Sequence, residues 1–233
     1  MSSSLVLVLR KGDVSPDIHR AHQDQTLGAL IGLVFASLGM LLPDLVTILL
    51  TERRLYSPDD SSLRDSYERR YNYELTEERE RFIELIEAIY SVDDEDYLHY
   101  LRGVAVERLV LELVRPKYAR REEQCLHNAE VDRADGSEVS RGSVDVAAWS
   151  QALQKGEFYQ CKILGDIQEE QVRILERIEV CCVDGGAKYV VAICSIQRQG
   201  LLEQRVADSC PNISPNIALL GAETLPYVAE ELL

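Results

Sequence analysis

Residues 142–163 contain the pattern that most restricts how this chain can fold. They read GSVDVAAWSQALQKGEFYQCKI, two runs of strand-forming residues around a polar connection. This spacing predicts two antiparallel strands joined as a hairpin. Side chains alternate along a strand. The predicted faces of the first strand are Val144, Val146 and Ala148 on one side and Asp145, Ala147 and Trp149 on the other. In the second, Tyr159, Cys161 and Ile163 form the apolar side, opposite Gln160 and Lys162.

If these strands pair, a carboxylate, an amide and an ammonium group converge on one edge of a sheet. The flanking segments predict the rest of that sheet. A helix over 97–114 precedes a strand over 124–132, and a helix beginning at Asp166 leads to the apolar run at 189–194. A strand that follows a helix in this way implies a parallel crossover. The predicted fold class is therefore α/β, with a mixed central sheet flanked by helices.

The first part of the chain predicts a separate helical domain over 1–95, followed by the sheet domain over 96–233. An acidic turn at 93–96 marks the boundary. The uncharged run 27–42 predicts a buried helix, with Pro43 opening a second one and Thr76 beginning a later one. That run is shorter than the roughly 20 residues needed to span a bilayer. A membrane segment within 27–50 remains the alternative.

Composition restricts the function classes. A hydrophobic content of 46% with 28% charged residues indicates a globular chain. The net charge of -15 argues against a general nucleic-acid coat protein, because such binding depends on Lys and Arg. The six cysteines have no zinc-ligand spacing, which favours reduced, mostly buried thiols in a cytoplasmic protein.

Three segments of the predicted sheet domain resemble the PD-(D/E)XK, or restriction-endonuclease-like, superfamily. The most similar branch is the Mrr-like one, whose third motif is Q-x-K. The matching segments are Gly103-Val104-Ala105-Val106-Glu107, Val144-Asp145-Val146 and Gln160-Cys161-Lys162. One departure is Ser143, which follows Gly142 where the branch usually has the glycine directly before the small apolar residue.

The resemblance implies a Mg²⁺-dependent endonuclease that hydrolyses DNA, with Mn²⁺ as a substitute ion and a role in restriction or defence. A divalent cation neutralises the phosphate and lowers the pKa of bound water. Asp145 is expected to bind the ion directly, Gln160 through its side-chain oxygen and Cys161 through its backbone carbonyl. Lys162 is expected to orient the attacking water, and Glu107 to complete the site through a water.

The segment RPKYARR is the most basic in the chain, and it predicts DNA contacts from Arg115, Lys117, Arg120 and Arg121. Cations at the end of a helix also favour its dipole, so a purely structural role is the alternative. Glu157 has two interpretations, a surface residue at the start of a strand, which we favour, or a substitute carboxylate.

Two functions remain open besides the DNA endonuclease. One is a catalytically inactive nuclease-fold protein that binds nucleic acid or serves in assembly, because Gln160 replaces a carboxylate. The other is a membrane-tethered nuclease. Double-strand cleavage favours a homodimer by symmetry with the duplex. No small-molecule cofactor is expected.

Overall fold

A computed structural model describes residues 5–51, 63–71, 75–92, 94–120, 123–163 and 167–230. The helices are α1 Pro16–Gln23, α2 Gln25–Ala36, α3 Leu38–Thr51, α4 Leu63–Arg70, α5 Glu77–Tyr90, α6 Glu95–Val114, α7 Glu169–Asp184 and α8 Gln199–Ser209. The strands are β1 Leu7–Lys11, β2 Glu123–Arg133, β3 Glu138–Ser150, β4 Lys155–Lys162, β5 Lys188–Ser195 and β6 Ile217–Leu220. Short 3-10 helices cover Arg115–Tyr118 and Leu225–Ala229.

The chain forms two compact units, and their bounds differ from the predicted ones. One unit contains Ser15–Arg108, and the other contains Met1–Val14 together with Leu109–Leu233. The difference at the N-terminus arises because β1 pairs with β2, with Leu7 opposite Arg133. The first strand therefore belongs to the sheet unit and not to a purely helical N-terminal domain.

The sheet has six strands in the spatial order β1-β2-β3-β4-β5-β6. Neighbours from β1 to β4 are antiparallel, whereas β4, β5 and β6 run parallel. This confirms the predicted mixed α/β fold and the crossover through a helix. The core on the α7 side of the sheet includes Trp149, Phe158, Leu175 and Ile178, each at most 1% exposed.

The hairpin and the crossover helix follow from local sequence signals. Residues 151–154 form the turn of the β3–β4 hairpin, in which Gln154 takes a positive φ of 49°. In α7, Gln168 and Gln171 form a reciprocal capping box at the start, and Gly185 caps the end. The predicted starting residue of this helix, Asp166, lies outside the described residues.

In the helical unit the structure confirms Thr76 as the N-cap of α5, since its hydroxyl accepts a hydrogen bond from the Arg79 amide. The prediction for Pro43 is wrong, because this residue lies inside α3. A proline there removes one backbone hydrogen bond, and the fully buried Leu41 and Leu45 stabilise the helix through packing. Among the described residues, no helix combines the length and apolar character needed to cross a membrane.

The thiols predict an alkaline loss of stability. None of the six cysteines is in a disulfide, and five are buried. Partial desolvation raises the pKa of Cys125, which is half-buried, to about 11, and full burial raises that of Cys182 to about 12. An unfolded thiol ionises from about pH 8.5 upward, whereas these two stay protonated in the native state. The free energy of unfolding is therefore expected to fall as pH rises from about 9 towards 11.

Urea unfolding at pH 7.5, 9 and 10.5 measures this effect. Burial also raises the pKa of Tyr118, which acts in the same direction at the upper end of the range. Replacing Cys125 by alanine should reduce the slope between pH 9 and 10.5. An unfolding free energy that stays constant over that range contradicts the prediction.

Candidate active site

The backbone ladder between β3 and β4 ends at the pair Val146 and Tyr159. Two residues further along β4, the Cys161 amide donates a hydrogen bond to Oδ2 of Asp145 over 2.6 Å. The Asp145 carboxylate thus accepts a hydrogen bond that a backbone carbonyl of β3 would accept if the β3–β4 ladder continued. Asp145 is half-buried, and charge-assisted bonds of this length are among the stronger ones in proteins. The open end of the hairpin is therefore fixed by Asp145.

The predicted alternation of β3 is wrong at this same position. Val144 packs in the same core cluster as Ala147 and Trp149, although it is an odd number of positions, three, from Ala147. The neighbouring strand is irregular beside Asp145, since Asn128 has a φ of 47° between the pairs His127–Val146 and Ala129–Val144. Both strands are therefore distorted beside Asp145, at the position where its carboxylate meets the Cys161 amide.

Gln160 lies on β4 directly before this contact. Gln160 is only 2% exposed, and its Nε2 donates a hydrogen bond to the Ser143 carbonyl over 3.0 Å. Within the described part of the chain, Oε1 is buried and has no hydrogen-bond partner. Burying an amide oxygen without a partner costs free energy. Gln160 Oε1 is therefore a buried acceptor for which the described residues provide no donor.

Cys161 and Lys162 are the next two residues of β4. The N–H and C=O of one strand residue point towards the same neighbouring strand, so the Cys161 carbonyl is directed towards β3, like its amide. The Cys161 side chain is buried, as predicted. Lys162 ends β4 opposite Ser195 of β5 and is half-buried. It makes no ion pair with another described residue. Both faces of β4 are buried before this point, in contrast to the single apolar side predicted.

The charge of Asp145 also acts on β5. Burial, and then the nearby Asp145 carboxylate, raise the pKa of the Cys194 thiol well above its ordinary range. Cys194 pairs with Cys161 across the β4–β5 ladder. The carboxylate thus lies beside an interior part of the sheet where its field is weakly screened.

Glu107 lies on α6 in the helical unit. Its Oε2 is 2.9 Å from Nε2 of His22, whose side chain is only 3% exposed. Sequence reasoning missed this pair, because nothing in the spacing of α1 and α6 links the two residues. The predicted role of Glu107 beside a metal ion stays a prediction.

The basic segment after α6 is less exposed than predicted. The Lys117 ammonium donates to Glu157 Oε2 over 2.6 Å and to the Val228 carbonyl over 2.6 Å, and its side chain is 8% exposed. Lys117 is thereby removed from any phosphate-binding surface. Arg115 is exposed and pairs with Glu112, Arg120 is exposed, and Arg121 lies outside the described residues.

The favoured interpretation of Glu157 as a surface residue is wrong. Glu157 is 0% exposed and, besides the Lys117 ammonium, accepts hydrogen bonds from Tyr118 over 3.2 Å and Tyr159 over 2.6 Å. A carboxylate within a run of strand-forming residues is buried only when it has partners. That signal was present in the sequence at Glu157 as clearly as at Asp145.

The donor chemistry at the open hairpin end suits a hard divalent cation. A carboxylate, the unpartnered amide oxygen of Gln160 and a backbone carbonyl are all oxygen ligands, the type that Mg²⁺ prefers. Nevertheless, the described residues contain no group of three or more His, Cys, Asp or Glu that could hold a metal ion. Among the described residues, the oxygen ligands at this hairpin end are one carboxylate, the Gln160 amide and backbone carbonyls.

Comparison with known proteins gives similarity at the level of structure. No protein-family model matches the sequence, and no curated protein matches it. Among solved structures, the chain is similar to protein VC1899 from Vibrio cholerae, with 16% identity, a TM-score of 0.41 and coverage of 96% of this chain and 57% of that one. It is also similar to Can2 from Sulfobacillus thermosulfidooxidans, solved with cyclic tetra-adenylate, with 11% identity, a TM-score of 0.40 and coverage of 96% and 54%. The chain thus spans little more than half the length of either protein.

Proposed function

We propose that this protein is a metal-dependent nuclease that hydrolyses phosphodiester bonds in DNA. The observation that carries the proposal is the hairpin end itself. There the β3–β4 ladder stops, and the Asp145 carboxylate accepts a hydrogen bond from the Cys161 amide over 2.6 Å. Gln160 has a buried side-chain oxygen with no partner among the described residues. The Q-x-K order of Gln160 and Lys162 beside Asp145 supports the same proposal through its resemblance to Mrr-like nucleases.

Asp145, the Gln160 side-chain oxygen and the Cys161 carbonyl would hold a Mg²⁺ ion. When bound, such an ion neutralises phosphate charge and lowers the pKa of a coordinated water. The Cys161 amide fixes the rotamer of Asp145, and Ser143 fixes that of Gln160, so both ligands are oriented before an ion arrives. The Lys162 ammonium would orient the attacking water by hydrogen bonding and stabilise negative charge that develops on the phosphate oxygens.

The direct test is cleavage of supercoiled plasmid DNA by the full chain. We expect nicked or linear product with Mg²⁺ or Mn²⁺ and intact plasmid with EDTA. Single-stranded RNA of the same length serves as the comparison substrate for the DNA preference. Absence of cleavage with either ion, at protein concentrations that saturate DNA binding, would reject the nuclease proposal.

The second candidate function is a nucleic-acid-binding or assembly module without catalytic activity. One observation favours it: Asp145 and Gln160 both form hydrogen bonds that hold the open hairpin end together, which is a structural use of the same residues. DNA binding without cleavage distinguishes this candidate. The proposals of a homodimer and of a role in restriction or defence can be tested by light scattering and by phage challenge of cells that express the protein.

Replacing Gln160 by glutamate tests the metal site through stability. The new carboxylate cannot donate to the Ser143 carbonyl and places a second negative charge near Asp145. We expect a lower Tm than wild type in EDTA and a larger rise in Tm when Mg²⁺ is added, because ligand binding to the native state stabilises it. Differential scanning calorimetry measures both. Equal Mg²⁺-induced shifts in the two proteins would contradict a metal site at this position.

A further inference from the structure

A second charged feature lies outside the hairpin end, where the β2–β3 connection meets α7. A surface cavity of about 430 Å³ there is lined by three arginines, Arg133, Arg141 and Arg177, and by a single acid, Glu138. The rest of its lining is neutral: Ser137, Val139, Val180 and Cys181. The lining therefore carries a net positive charge in a chain whose net charge is -15.

The three guanidinium groups are held differently. Arg177 donates through Nη1 to the Ser140 carbonyl over 3.0 Å and pairs through Nη2 with Glu170, whose side chain is 57% exposed. Arg141 is exposed, has a φ of 50° and pairs with no carboxylate among the described residues. Arg133 is exposed. A hydrogen bond with Cys181 raises the pKa of its guanidinium, the charges of Asp135 and Asp184 act more weakly in the same direction, and it forms no ion pair with either described carboxylate. Part of the positive charge is thus available to an external anion.

We infer that this arginine cavity binds the backbone phosphates of the nucleic-acid substrate, an inference that rests on the proposed function. Guanidinium groups match phosphate oxygens in a bidentate geometry. Arg141 and Asp145 lie four residues apart on β3, so their Cα atoms are at most about 13 Å apart. That upper limit equals about four nucleotides at about 3.4 Å of rise per step. The cavity would therefore contact the strand within a few nucleotides of the phosphate that is cleaved.

Phosphate contacts position a duplex without reading its sequence. The contact at Arg141 is expected to contribute equally for any DNA sequence and to weaken with salt. Each neutralised phosphate contributes about 0.9 to the slope of log K against log[salt]. Relative to 1 M salt, where this contribution vanishes, one contact therefore strengthens binding about eightfold at 0.1 M salt.

The test measures binding separately from cleavage. Affinity for a fluorescent 30-base-pair duplex is determined in EDTA between 50 and 200 mM salt, with all proteins carrying Lys162→Ala. Adding Arg141→Asn removes the charge while keeping a residue that tolerates positive φ. We expect about eightfold weaker binding at 0.1 M salt and a slope reduced by about 0.9. Arg133→Gln should weaken binding in the same direction.

Lys188→Ala is the matched control. Lys188 is exposed. It lies opposite Lys155 in the β4–β5 register, at the other end of these strands from Lys162. Its removal changes the net charge by the same amount and should leave affinity and slope unchanged. Thermal melting confirms that each variant is folded.

Unchanged DNA affinity in both arginine variants would overturn the inference, whereas plasmid cleavage by wild type would then still support the proposed function. Conversely, weaker binding in both variants without any cleavage by wild type would retain the phosphate surface and reject the nuclease. Loss of polyglutamate binding in Arg141→Asn, with DNA binding intact, would assign the cavity to an acidic protein and overturn the inference.

Discussion

Replacing Lys162 by alanine is expected to reduce Mg²⁺-dependent DNA cleavage by a factor of about 10²–10⁴, the range for loss of a group that positions or transfers a proton. Asp145→Asn should reduce cleavage at least as strongly. The asparagine keeps an oxygen that can accept from the Cys161 amide, but it removes the charge that attracts a divalent ion. Single-turnover cleavage of a labelled duplex measures both effects.

Metal binding separates the two roles. Isothermal titration with Mn²⁺ should show a lost or strongly weakened site in Asp145→Asn and a retained site in Lys162→Ala, because only the first is proposed as a ligand. Lys188→Ala is the charge control for activity. Wild-type rates in either site variant would remove that residue from the reaction.

Lys117→Met is expected to lower the free energy of unfolding by about 3–5 kcal/mol, the cost of leaving a buried charge without its partner. The Lys117 ammonium is the cation that neutralises Glu157, a fully buried carboxylate on β4, and its side chain is itself 8% exposed. For a chain of this size the corresponding fall in Tm is about 6–20 °C. Urea unfolding followed by circular dichroism measures the change.

Two further variants identify the cause. Adding Glu157→Gln to Lys117→Met removes the uncompensated charge and should recover part of the lost stability. Arg115→Ala breaks the exposed pair with Glu112 in the same segment and should change stability little, since surface pairs contribute weakly. Equal free energies of unfolding for Lys117→Met and Arg115→Ala would contradict a stabilising role of the buried Lys117–Glu157 pair.

The parts of the fold that were predicted correctly depend on short-range patterns. The β3–β4 hairpin, α7 and the parallel strand β5 follow one another within the 58 residues from Glu138 to Ser195, and each has its own periodicity and turn or cap signal. Pairing of β1 with β2 was not predicted, because it joins residues more than 100 positions apart and no local signal specifies it.

The assignment of Asp145, Gln160 and Lys162 to a site stays a prediction. Simple alternation did not predict the contact between the Asp145 carboxylate and the Cys161 amide. That contact is a side-chain-to-backbone hydrogen bond across 16 positions, and the neighbouring strand has a positive φ beside it at Asn128. Glu157 shows the same limit. Its sequence context resembles that of Asp145, and only the tertiary contacts of Lys117, Tyr118 and Tyr159 distinguish a buried ion pair from a candidate ligand.

The pairing of β1 has a consequence for synthesis on the ribosome. Residues 7–11 emerge first, but their partners in β2 are residues 129–133. The helical unit is translated between them, so it can fold before β2 is available to pair with β1. Contacts of such long sequence separation slow folding, and until they form, the edge of β2 is exposed to pairing with other chains. A chain begun after residue 14 would carry that exposed edge permanently and should aggregate.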